Sequence, residues 1–114
     1  MSTAERRGDL RGPREERLFV KVLNCPVPLG LEDTTIGCRT QDVSSTGLQL
    51  ALEQHLPADT ELELWLEVKG LPGKYLLKGL VRWSREQSGA WVSGIELIET
   101  AEDTDIDDWQ DLFV

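Results

Sequence analysis

The chain has 114 residues, with 12 Lys and Arg against 21 Asp and Glu, for a formal net charge of −9 at pH 7. That length makes one domain, and a hydrophobic content of 39% supplies one core. The acidic balance excludes a coat for nucleic-acid polymers, which needs excess cations facing the phosphates. The charge is uneven, however: residues 1–21 carry +2, residues 22–98 carry −4 and residues 99–114 carry −7.

Residues 1–16 are rich in Arg, Glu and Gly and lack apolar periodicity, so they read as a flexible basic arm ahead of a domain over 17–114. No apolar segment follows the early positive charges, as a secretory signal requires. No apolar run approaches the ~20 residues of a membrane-spanning helix. A cytoplasmic protein without membrane insertion is expected. Cys25 and Cys38 are too few for a disulfide framework and read as small buried hydrophobes. His55, the single histidine, reads as a loop or surface residue.

A first strand runs from Leu18 to Asn24 or Cys25, with Leu18, Val20 and Val22 alternating against Phe19, Lys21 and Leu23. Pro26 and Pro28 favour an extended or edge segment, and Leu29–Asp33 reads as a turn. Thr34–Thr40 is a second strand, and Asp42–Gly47 a turn cluster in which Gly47 supplies positive φ. Leu48, Leu50 and Leu52 mark a third strand, broken by His55–Asp59. Glu61–Val68 places four apolar residues on one face and Glu63, Trp65 and Glu67 on the other, so Trp65 faces solvent. After a turn over 70–73, Tyr75–Arg85 is a long strand with Gly79, Val81 and Trp83 on one side. Ala90–Ile98 completes the meander, and short turns between strands predict an all-β sandwich or small barrel. Ile106, Trp109 and Phe113 fall at helical spacing. A helix is expected over Thr104–Leu112, capped by Thr104, with Asp105, Asp107 and Asp108 near its positive end.

Two clusters could carry chemistry. Arg14, Arg17 and Lys21 precede or lie within the first strand, and Arg17 and Lys21 share a face in either a helix or a strand. Asp42-Val43-Ser44-Ser45-Thr46-Gly47 offers a carboxylate suited to the N1–H and N2–H of a guanine and a hydroxyl suited to a phosphate oxygen. Arginine forks fit phosphate or the O6/N7 edge of guanine. There is no defensible nucleophile–base grouping, phosphate-binding glycine loop, dinucleotide fingerprint or zinc spacing, so catalytic residues, metal and cofactor are not expected.

These features resemble the PilZ domain, a bacterial receptor module for cyclic di-GMP. The family signature is R-x-x-x-R entering the first strand, followed by [DN]-x-S-x-x-G at a strand end. Asp42-x-Ser44-x-x-Gly47 matches the second motif completely, and residues 76–99, with Trp83 and Gly94-Ile95-Glu96, resemble the paired late strands. The first motif departs from the pattern. Arg17–Lys21 gives R-x-x-x-K, whereas a literal R-x-x-x-R, Arg7 to Arg11, ends seven residues before Leu18. The register taken here is Arg17 and Lys21, although Lys lacks the bidentate fork and Glu15 and Glu16 would repel a dianion.

The resemblance implies an all-β, six-stranded antiparallel barrel with a flexible N-terminal arm and a C-terminal helix. It implies a cyclic di-GMP effector whose site is Arg14, Arg17, Lys21, Asp42, Ser44 and Gly47. Ordering of the arm would couple the nucleotide to a signalling, motility or secretion protein. A monomer is expected, with the terminal helix covering the barrel. The alternative is a PilZ-like interaction module with weak or no nucleotide binding, using Trp65 and the acidic tail as its contact surface.

Overall fold

The computed structural model describes residues 12–13, 15–71 and 73–113. Its elements are β1 (Gly12–Pro13), β2 (Arg17–Asn24), β3 (Thr35–Val43), β4 (Gly47–Leu52), β5 (Glu61–Glu67), β6 (Lys74–Gln87), β7 (Ala90–Leu97) and α1 (Ile106–Asp111). Alternation sets the strands: Leu18, Val20 and Val22 of β2 and Leu62, Leu64 and Leu66 of β5 all face the core, while their chain neighbours face out.

The strands run β3-β2-β5-β6-β7-β4, and β4 pairs back to β3, closing a six-stranded antiparallel barrel. The closing ladder runs over Arg39–Val43 of β3, and along it no edge is left to invite strand addition. Within the expected arm, β1 pairs with the end of β3, Gly12 opposite Val43 and Pro13 opposite Asp42. Residues 1–11 and Arg14 lie outside the described residues. Glu16, expected to repel a ligand, is instead buried; its Oε1 accepts from the Lys69 N–H at 3.0 Å.

Two β-bulges matter for function. One lies in β3 between Thr40 and Asp42, the other in β6 between Val81 and Trp83. An extra residue reverses the in–out alternation beyond it. Thr40 and Val43 both point into the barrel, which turns Asp42 outward. Val81 points inward, and beyond the bulge Ser84 takes the inner position, bonded to Ser93 Oγ at 2.7 Å. Trp83 therefore does not continue the row of Gly79 and Val81, as expected from sequence, but faces outward.

The helix starts at Ile106 rather than Thr104, because Asp105 has φ −97° and ψ 27°. Thr104 does not cap it; its hydroxyl donates to the Ala101 carbonyl at 3.2 Å. Asp105 occupies the cap position without a side-chain capping bond and spends its carboxylate elsewhere, Oδ2 accepting from the Leu76 N–H at 2.8 Å. Ile106 and Trp109 are buried against the barrel, and the Trp109 ring meets Tyr75 edge-on at 5.8 Å.

Candidate functional site

The two bulges aim side chains into one external cleft. Across neighbouring strands, Asp42 lies opposite Gln49, Gln49 opposite Gly94, and Gly94 opposite Trp83. This row floors an open cleft of about 360 Å³ that also includes Ser44, Gly47, Arg82 and Glu96. Gly94 has no room for a side chain: a Cβ there would stand 2.2 Å from Trp83 Nε1 and 2.3 Å from Cε2. The Arg85 guanidinium stacks over the indole, 4.9 Å from the ring centroid. Arg82 is held at the rim by Glu96 and by Asp59, the latter at 3.6 Å.

Asp42 is the half-buried acceptor of the cleft. Its carboxylate makes no hydrogen bond or ion pair with another described residue. Ser44, by contrast, is engaged in the turn. Its Oγ accepts from the Gly47 N–H at 3.0 Å and the Thr46 N–H at 3.3 Å, and its N–H donates to the Gly47 carbonyl at 2.9 Å. The reason for Gly47 also differs from the expectation. Its φ is not positive; a Cβ there would meet the Ile95 carbonyl oxygen at 2.8 Å. Glycine is required by close approach to β7, not by backbone handedness. The turn is pinned from outside by α1, where Trp109 Nε1 donates to the Ser44 carbonyl and Gln110 Nε2 to the Ser45 carbonyl, each at 3.1 Å.

The expected site residues separate into groups. Asp42, Ser44 and Gly47 come together in this cleft. Arg14 lies outside the described residues. Arg17 sits opposite Arg39 and lines a different hollow, beside Phe19 and Trp65. Lys21 pairs with Thr35 at the far end of β3, so it stands roughly 20 Å along the strand from Asp42. The register therefore does not bring Lys21 to the cleft, because β2 is extended and carries it away. What reaches Asp42 and Val43 is the Gly12–Pro13 backbone, whose covalent neighbours are Arg11 and Arg14. Arg82 was not anticipated. Gln49 was not either, since it reads as one polar position in an alternating strand.

Other chemistry finds little footing. Burial pushes the Cys38 thiol up from 9.0 to about 12, so it stays protonated and poorly nucleophilic. Among the described residues no group of three or more His, Cys, Asp or Glu side chains is arranged to hold a metal ion. Nor is any helix there long and apolar enough to cross a membrane.

The family model of the PilZ domain matches residues 9–112, which is nearly the whole chain. The chain belongs to the PilZ domain family. PilZ domains as a class are receptor modules for cyclic di-GMP, binding modules rather than enzymes. No curated protein sequence matches this PilZ domain. The matched span begins at Asp9, so it takes in Arg11, Gly12 and Pro13 as well as the barrel and α1.

Proposed function

We propose that this PilZ domain binds cyclic di-GMP in the cleft beside Asp42 and passes the signal to a partner protein by ordering its N-terminal arm. The observation that carries the proposal is the pairing of Gly12–Pro13 with Asp42–Val43, which ties the arm to the strand bearing the D-x-S-x-x-G motif. Asp42, outward and without a partner among the described residues, accepts the N1–H and N2–H of a guanine. Ser44 and Gly47 act by shaping the turn that holds Asp42 in place. Arg11 and Arg14, with Arg7, supply planar forks for the phosphates and the guanine O6/N7 edge. Arg17 and Lys21 have no contact with the nucleotide in this assignment.

Calorimetric titration with cyclic di-GMP tests it. Binding is expected, weakened about tenfold or more by Asp42→Ala or by Arg11→Ala, and changed less than about twofold by Lys21→Ala. No heat, together with no amide shifts over residues 42–47, would overturn nucleotide binding. Loss of binding in Lys21→Ala or Arg17→Ala would return the site to β2. A second function, an interaction module without a nucleotide, is favoured by one observation, the exposed pair Phe19 and Trp65. A null titration leaves that function standing.

A further inference from the structure

On the barrel exterior, Gly37 lies opposite Phe19, Phe19 opposite Trp65 and Trp65 opposite Leu76. Phe19 is 55% exposed and Trp65 40% exposed. A Cβ at Gly37 would touch the Phe19 ring at 3.6 Å, an ordinary contact, so the glycine leaves that side of the ring without a covering side chain. Cations border this apolar row on both sides. Arg17 faces Arg39, and Lys74 lies opposite Glu67 on one side; Lys21 and Lys78 flank Glu63 on the other. Arg39 is paired with Glu15 at 3.5 Å, and Glu63 accepts from Trp65 Nε1 at 3.2 Å. Arg17, Lys21, Lys74 and Lys78 make no ion pair with another described residue. A chain of net charge −9 thus exposes an aromatic row between cations that have no ion pair among the described residues.

We infer that this face docks an acidic segment of a partner protein in which carboxylates accompany apolar side chains. Charge complementarity selects the occupant. Local cations attract a short acidic segment, because screening confines the field to about 10 Å at ~0.1 M salt. An extended nucleic acid would also meet the acidic remainder of the surface. A second copy fits poorly, since the apolar residues of its acidic end (Ile106, Trp109, Leu112 and Phe113) are buried in its own core. Because the rings stand on the outer face of the closed barrel, docking is onto that face, with the two rings as anchors. The face serves the partner step of the proposed function, but it stands apart from the nucleotide cleft.

The test uses the whole chain labelled with nitrogen-15 and a synthetic capped peptide of about ten residues, ~30 Å when extended, alternating Asp or Glu with Leu or Phe. Controls are the same peptide with Lys for the acids, the same peptide with Ser for the apolar residues, and a short single-stranded oligodeoxynucleotide. The acidic apolar peptide is expected to shift the Trp65 indole signal and the β2 and β5 amides below about 1 mM, whereas the controls are not. Arg17→Glu and Phe19→Ser, both at exposed positions, should each weaken it about tenfold while keeping the wild-type urea midpoint. No shift, equal shifts from the Lys or Ser peptide, or equal binding of the oligonucleotide would overturn the proposal. So would concentration-dependent dimerisation abolished by Arg17→Glu, which would assign the face to a second copy. Repeating the titration with cyclic di-GMP present separates the two proposals. Peptide binding without nucleotide binding removes only the cleft, and nucleotide binding without peptide binding removes only this face.

Discussion

Gly94 shows how one residue sets the cleft. Trp83 lies so close over its backbone that a single methyl would collide with the indole. The ring also carries the Arg85 guanidinium, 4.9 Å from its centroid, so moving it disturbs that contact as well. Gly94→Ala should therefore destabilise the protein by about 1–3 kcal/mol, the usual range for overpacking. If the ring is the obstacle, most of that cost should vanish in a Trp83→Ala background. A double-mutant cycle by urea denaturation measures the coupling directly. An equal cost in both backgrounds would place the obstacle in the β7 backbone instead. Gly47 belongs to the same class but faces a carbonyl oxygen of the backbone, which has less freedom to yield than a side chain.

At the scale of elements, the C-terminal helix acts on the motif turn. Trp109→Phe keeps most of the ring in the core but removes the donor to the Ser44 carbonyl, which is partly buried. The loss should cost about 1–3 kcal/mol and speed hydrogen exchange of the Thr46 and Gly47 amides, which the turn holds against Ser44. Unchanged exchange at those amides would mean that the turn holds itself and the helix merely covers it. The strands themselves were legible, since Leu62, Leu64 and Leu66 alternate with polar or exposed neighbours over the whole of β5. The bulges were not. Nothing in Thr40-Gln41-Asp42 or Val81-Arg82-Trp83 marks an extra residue, because a bulge answers to barrel curvature and to the partner strand rather than to local propensity. An unbroken alternation sends Asp42 and Trp83 inward, and only pairing across strands shows that both face the cleft. The motif was readable as a spacing, but the place of the basic residues was not, because spacing along β2 says nothing about which end of β3 it meets.

For the whole molecule, the net charge of −9 hides a division of labour. The acidic end is gathered around α1, cations flank the aromatic row on β2 and β5, and the chain segment rich in arginine leads to β1. Every barrel strand has partners on both sides without β1, which adds only the pairing of Gly12–Pro13 to β3. The fold should therefore not depend on residues 1–11, while nucleotide binding should. Deleting residues 1–11 is expected to shift the unfolding free energy by no more than about 0.5 kcal/mol. The same deletion should weaken cyclic di-GMP by more than about tenfold, since it removes Arg7 and Arg11 together. Raising salt from about 0.05 M to about 0.5 M should weaken the intact protein severalfold, because arginine–phosphate attraction at an open cleft is screened. The truncated protein, left with Arg14, should show less of that dependence. Calorimetry on both proteins at both salt concentrations, beside urea curves, checks all of these outcomes. Full affinity in the truncated protein would mean that Arg14 or the cations of the barrel itself suffice, with Arg14, Arg17 and Arg82 the first to substitute.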